Sequence, residues 1–457
     1  MAVDLHTTGI DPLDEANKAW LSDLQGNILR SHGRDHGVHI FITFGPDTAA
    51  NRAWARDFAK AHVVSAWSQA QATAAFKADP SQSRQLFAGF HLNATGYWAL
   101  DCKDPSQMPN DLASTFRQGM KASKDPLADP PESEWEAGFR GNLDALVILA
   151  SDNVDQLNKA SDEVLASLTG VAAKTHVETG RRLTQSVGGK ELDIEHFGFV
   201  DGVSQPLFFK AQIERAQAAG TDQFDPSAPL NLVLVKDPNG TSEDSFGSFL
   251  VYRKLREDVP GWDRAVVTLA QQLGVEPGLL AAYAMGRFQD GTPVVLSNTP
   301  LSKDDPGNNF GYAGDMEGAR CPFHAHTRKT NPRGDTNRLF GETLERERSH
   351  RIARRGITYG ERGSADAGLL FLCFQADISQ QFEFMQGAWA NSVQFPKQET
   401  GKDPVIGQGD NLPSGQAFPK TYGAGTAGFK RLTFETFVEM KGGEYFFAPS
   451  IGFLTGL

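Results

Sequence analysis

Apolar positions in the first half of the chain fall into short runs separated by polar punctuation. Val38 to Phe44, VHIFITF, is dense in β-branched and aromatic residues and alternates, which predicts a strand. Residues 48–77 are alanine-rich and free of proline, which predicts one or two helices. Leu86 to Leu92, LFAGFHL, predicts a second strand, and the turn-rich stretch from Asn93 to about Phe139 an excursion over the surface. Leu143 to Ala150, LDALVILA, has the continuous apolar run of a buried strand. Ser151 to Leu168 predicts a helix capped by Ser or Asp and ended by Gly170, and Val171 to Gly180 a fourth strand. Strand, helix, strand, strand, helix, strand is the split βαβ order of ferredoxin-like folds. It predicts an antiparallel four-stranded sheet with helices on one face.

The pattern changes after Pro206. Ala219 to Pro229 reads as a linker, so the chain is expected to divide into halves, 1–218 and 219–457. NLVLVK and GSFLVYRKL predict strands, 261–286 helix, and 289–366 is a long region rich in Gly, Asn, Asp and Arg. Gly368 to Gln375 predicts a buried strand, Ile378 to Asn391 a helix, and LTFETFVEMKGGEYFFAPS a terminal hairpin. The second half is therefore also α+β, and the two halves are candidates for two copies of one topology.

The 457 residues are 40% hydrophobic and 22% charged, an ordinary globular composition that excludes disorder and coiled coil for the chain as a whole. Acids outnumber bases 56 to 44, a formal charge of −12, which argues against a nucleic-acid partner. Three scattered cysteines cannot form a disulfide framework or a thiolate zinc site. The acidic start lacks the apolar core of a secretory signal, and no stretch is apolar for long enough to cross a membrane. A cytoplasmic location is expected, or an extracellular one if a signal has been removed.

Four segments can carry chemistry. In His196 to Pro206, HFGFVDGVSQP, glycines flank Asp201 and would let the backbone approach a flat ligand; a plain Asp-Gly turn has the same residues. Cys321 to Arg333, CPFHAHTRKTNPR, holds His324 and His326 before Arg328, Lys329 and Arg333. One histidine suffices as an axial haem ligand, and the cations suit carboxylates or phosphates; a polar surface loop is the alternative. Ser349 to Gly360, SHRIARRGITYG, packs three arginines, as a solvated basic face also would. Asp377 and Glu383 stand at or near a helix start, where either can orient a distant histidine.

Taken together these segments resemble the dye-decolourising peroxidases, a family of haem enzymes. Their Gly-x-x-Asp-Gly signature is matched by Gly198 to Gly202, their axial-histidine segment by CPFHAHTRKTNPR, and their distal-arginine segment by RRGITYG from Arg354. Leu24 to Leu29 (LQGNIL), Gly286 to Val294 (GRFQDGTPV) and the C-terminal GGEYFFAPSIGFL match further motifs in the family's order, and the length resembles its larger fungal and bacterial branch. The resemblance implies an α+β fold of two ferredoxin-like halves, with haem b held mainly by the C-terminal one. It implies a peroxidase whose partners are hydrogen peroxide and an organic reductant such as a dye or phenolic, with no nucleic acid and no membrane. His326 would be the axial ligand, with His324 a bystander. Asp201 would be the distal acid and Arg354 the distal arginine, chosen over Arg351 and Arg355 by the turn that follows it. Glu383, or else Asp377, would support the axial histidine. Arg328, Lys329 and Arg333 would meet the haem propionates. Leu369 and Phe371, two apart on a strand, would share one side over the distal haem face, with Leu370 and Leu372 the other choice. Two other readings compete: a haem carrier with little turnover, and an Asp/His hydrolase, for which no nucleophile motif is found.

Overall fold

The computed structural model describes residues 2–81, 84–103, 112–303, 305, 307–425 and 428–457. The first half forms strands His36–Phe44, Phe87–Leu92, Ala145–Ser151 and Ala172–Arg181. Their order across the sheet is second, third, first, fourth, and every pairing is antiparallel. The alanine-rich stretch is two helices, Thr48–His62 and Ala66–Ala78, because the Ser65 hydroxyl accepts from the Ser68 amide and restarts the helix. Helix Val154–Ser167 begins on Asn153, whose side chain takes the Gln156 amide, so the expected Ser or Asp cap is an Asn instead. Part of the expected surface excursion, 104–111, lies outside the described residues.

The second half repeats this plan. Its strands in chain order are Phe246–Glu257, Ile357–Tyr359, Gly368–Gln375 and Val438–Ala448, and their spatial order is again second, third, first, fourth. The helical stretch after the first strand breaks into Val259–Leu273 and Pro277–Met285, because Gly274 turns left-handed (φ +80°) and Pro277 opens a new helix. The expected terminal hairpin does not form. Phe429–Leu432 pairs with Gln416–Pro419, while Val438–Ala448 enters the large sheet beside Phe246–Glu257. Phe434 and Phe437 pack on Trp262 between the two strands, and this anchorage separates them.

The halves share one sheet. Phe447 bridges to Leu92 at the junction, and at the far edges the Thr358 hydroxyl donates to the Arg181 carbonyl. The sheet therefore curls until its two edges meet. Phe41 and Tyr252, from opposite halves, touch edge-on with ring centres 4.8 Å apart in the interior; one apolar core runs through both halves, and a second cluster gathers around Trp262. The second half departs from the first in the roughly hundred-residue connection between its first two strands, which after the helices Val259–Leu273 and Pro277–Met285 folds as irregular chain and short helices. No helix among the described residues is long and apolar enough to cross a membrane.

Candidate haem site

That long connection builds one wall of a cavity of about 1630 Å³, its open mouth included. Asp201, Arg333, His326, Arg354, Leu369 and Phe371 all line it. Leu369 and Phe371 face the cavity, whereas Leu370 and Leu372 are buried in the core, as strand alternation requires.

The Asp201 loop is held from both ends. Gly198 (φ +91°) and Gly202 (φ +77°) sit in the left-handed region, so the turn needs them. Gln289, from the GRFQDG motif, accepts the Val200 amide on its carbonyl and donates from its side chain to the Phe197 carbonyl at 2.8 Å. Arg354 then reaches Asp201, with Nη1 donating to Oδ1 at 2.9 Å and Nη2 to the Val203 carbonyl at 3.0 Å. Gln205 accepts the Arg354 amide, so the loop and the Ala353–Arg354 strand hold each other. Arg355 points away and donates to the Asn27 and Ile28 carbonyls of the LQGNIL segment. Arg351 reaches the cavity wall, but its guanidinium is spent on the Pro226, Ser227 and Arg348 carbonyls.

His326 opens the short helix His326–Thr330, and a side chain at Gly286 would run into Thr327 of that helix, so glycine there lets the two segments close up. The ring Nδ1 lies 2.9 Å from Asp403 Oδ2. Asp403 is fully buried, and its other oxygen accepts the Val405 and Ile406 amides at 2.7 and 3.1 Å. The carboxylate therefore fixes the imidazole and leaves Nε2 for the cavity.

Asp403 replaces both acids expected at this position. Helix Ser379–Ala390 turns Phe382, Met385 and Gln386 to the cavity, which carries Glu383 round to accept the Tyr445 hydroxyl at 2.7 Å. Asp377 caps that helix, accepting from Ser379 and Gln380. Asp403 is 77 residues from its histidine, in a loop whose Asp-Pro pair announces a turn and nothing about a partner.

The expected cations also sort differently. Arg328 is two residues past His326, which on a helix is about 200° round and faces the protein interior. There it is wholly buried, bonded to Asp335 at 2.7 Å and Asp315 at 3.0 Å, and sandwiched by Tyr312 and Phe323. Lys329 is buried too, donating to the Trp389 and Ser392 carbonyls, and burial pushes its ammonium down to about 7. Neither lines the cavity. His324 is buried against Phe418, its imidazole pushed down to about 3 by burial.

Arg333 does line the cavity, joined by Arg287 of the GRFQDGTPV motif, an arginine to which the motif match assigns no role. Arg333 donates to the Asn308 and Phe310 carbonyls and the Ser204 hydroxyl, Arg287 to the Gly291 and Gly307 carbonyls. Burial pushes Arg333 down to about 9 and Arg287 to about 10. Among the described residues neither meets a carboxylate, so this end of the cavity holds positive charge that an anionic group would neutralise. His350 also lines the cavity, stacked on Phe384 at 4.0 Å, with Nδ1 facing the Gln380 carbonyl and a buried, unpartnered Nε2. An imidazole fixed by a buried carboxylate, an apolar strand face and uncompensated arginines fit a flat, iron-bearing dicarboxylate such as haem.

A further pair of acids borders the cavity. Glu195 accepts the Phe197 and Phe199 amides at 2.8 Å and contacts Glu257, the last residue of its strand. Burial raises both carboxyls, Glu195 to about 7, and Glu195 raises Glu257 further by its charge and its hydrogen bond, so the pair holds a proton at neutral pH. Glu195 lies just before the Gly-x-x-Asp-Gly loop and Glu257 ends an apolar strand; only their closeness in space makes them a pair.

Residues 294–398 match the model of the Dyp-type peroxidase C-terminal family. The chain is 37% identical over its full length, and the relative's, to a multifunctional dye peroxidase of an Amycolatopsis species. A crystal structure of a DyP-type peroxidase from an Anabaena species superposes with a TM-score of 0.92 at 44% identity, covering 99% of this chain and 98% of that one. A dye-decolorizing peroxidase solved in complex with 2,6-dimethoxyphenol superposes with a TM-score of 0.72 at 27% identity, over 95% of this chain and 98% of the other.

Proposed function

The chain belongs to the dye-decolorizing peroxidase family, and on that premise we propose that it holds haem b on His326 Nε2 and uses Asp201 and Arg354 as its peroxide-handling pair. It is a haem peroxidase that oxidises dyes and phenolics. Bound haem supplies the two-electron reduction of hydrogen peroxide and passes the oxidising equivalents to organic donors one at a time.

The remaining chemistry belongs to the protein. Asp403 draws the Nδ1 proton of His326, which makes Nε2 a stronger donor and fixes the ring's tautomer. Asp201 takes a proton from one peroxide oxygen and returns it to the other, which leaves as water. The Arg354 guanidinium, 2.9 Å from Asp201, keeps that carboxylate in place and sets positive charge where negative charge develops. Arg333 and Arg287 meet the propionates, with His350 Nε2 a further donor. Leu369 and Phe371, which line the cavity, would give the haem an apolar wall. Apart from Asp201 every one of these residues comes from 219–457, which supports the C-terminal half as the main haem holder. The three cysteines are all free thiols, which supports a reducing compartment.

The observation that carries this reading is that the His326–Asp403 and Asp201–Arg354 pairs open on one cavity. The assembled Asp201–Arg354 pair favours an enzyme over a haem carrier. The test is the absorption spectrum of haem-reconstituted protein before and after one equivalent of peroxide, in wild type and His326→Ala. A Soret band that changes with peroxide, and is lost or altered in the variant, is expected. Haem bound without any response to peroxide would return the carrier reading, and no haem bound would overturn both.

A further inference from the structure

We propose a second ligand site, apart from the haem cavity, that binds a small organic anion: a carboxylate or sulfonate on a compact apolar body. It is the cleft between helix Ala66–Ala78, helix Lys210–Ala219 and the segment ending at Arg30, about 810 Å³ with its open mouth included.

Three cations line this cleft, one from each element: Arg30, Lys77 and Arg215. Among the described residues no carboxylate pairs with any of them, and none of the three side chains is spent on a backbone carbonyl. The one acid of the lining, Asp11, turns Oδ1 to the Leu13 amide at 2.9 Å. The three charges act on one another: Lys77 is lowered first by Arg30, and Arg30 by burial and then by Arg215. Three distant parts of the chain thus bring like charges together with no ion-paired carboxylate among the described residues, an arrangement that an anion from outside would relieve.

The walls state what the anion is attached to. Pro12, Leu13, Ala70, Ala74 and Phe209 make the cleft chiefly apolar. Sulfate or phosphate alone would leave that surface wet, whereas a ring or short hydrocarbon body would cover it. The frame is fixed beforehand, since Gln69 of the first helix donates to the Arg30 carbonyl at 3.0 Å and accepts the Asn27 amide at 2.7 Å. Asn27, Leu29, Arg30 and Gln212 also border a larger cavity that reaches Asp201 and Arg354, so a bound anion sits beside a route to the peroxide-handling pair.

The test is isothermal titration of the haem-loaded full chain with three probes: 1-naphthoate, its neutral analogue 1-naphthalenemethanol, and inorganic sulfate. The proposal expects one naphthoate per chain, weakened by salt, with the alcohol and sulfate each weaker by on the order of tenfold or more. Lys77 and Arg215 are exposed, so the double variant Lys77→Gln/Arg215→Gln is expected to fold and melt no lower than wild type while losing naphthoate by a similar factor. Arg30→Gln adds to that loss. Equal naphthoate binding by wild type and the double variant overturns the site. Alcohol binding as tight as naphthoate overturns the role of the cations, and sulfate binding as tight overturns the organic ligand.

Discussion

The two ends of the haem cavity differ in how far the protein excludes water. At the His326 end the supporting Asp403 is fully buried, its second oxygen taken by two backbone amides. At the Asp201 end both members of the pair with Arg354 keep 33% of their side-chain surface. A ligand that tunes an iron has to be held in one geometry, and burial with full hydrogen bonding does that. A group that exchanges protons with peroxide and water has to remain in contact with both. On the proposed reading the dry end is a fixed support and the wet end the working surface.

Substitutions break this contrast in order of size. His326→Ala removes the proposed axial imidazole and is expected to abolish stable haem binding, read as loss of the Soret band after desalting. Arg354→Leu and Asp201→Asn should keep the haem spectrum and slow the reaction with peroxide, by on the order of 10²–10³ for Arg354 and 10²–10⁴ for Asp201. Stopped-flow absorbance separates these from a binding defect. Asp403→Asn is expected to leave haem bound, move the reduction potential in the positive direction and lower activity about 10- to 100-fold. Glu383→Gln serves as its control. If Glu383→Gln shifted the potential and Asp403→Asn did not, the assignment of the dry end would be wrong.

The smallest effect concerns stability. Glu195 and Glu257 titrate above an ordinary glutamate in the folded chain, Glu195 at about 7 against 4.5. The unfolded chain therefore releases these protons first as pH rises. The pair's contribution is fully present below about 4.5 and declines as pH approaches about 7. Glu257→Gln should flatten that decline and gain most at neutral pH, with little difference in acid. Urea melts on either side of the window measure it, and a parallel offset at every pH would exclude a shared proton.

The motif-bearing residues of the site are legible in the amino-acid sequence alone. Asp201 lies between glycines that its turn requires, and Arg354 stands ahead of a recognisable turn. Strand alternation puts Leu369 and Phe371 on one side and Leu370 and Leu372 on the other, and the fold turns the first pair to the cavity. The misplaced cations have one cause. Arg328 and Lys329 look available because charge in a loop-like stretch reads as exposed. A short helix instead turns both inward, where two aspartates neutralise Arg328 and burial lowers Lys329.

Local pattern is enough for the strand–helix order of the first half, because a strand's alternation and a helix cap act over a few residues. It also carries the identity of the imidazole, the carboxylate and the guanidinium that face the cavity. It makes the two halves candidates for one topology but does not find the second strand of the second half, Ile357–Tyr359, behind its long connection, or the fate of the terminal hairpin, which aromatic packing on Trp262 separates. Only the folded chain pairs His326 with Asp403, Glu195 with Glu257, and Arg30 with Lys77 and Arg215. Those pairings join segments far apart in sequence, and a long-range contact is chosen by the packing of the whole core rather than by the residues beside it.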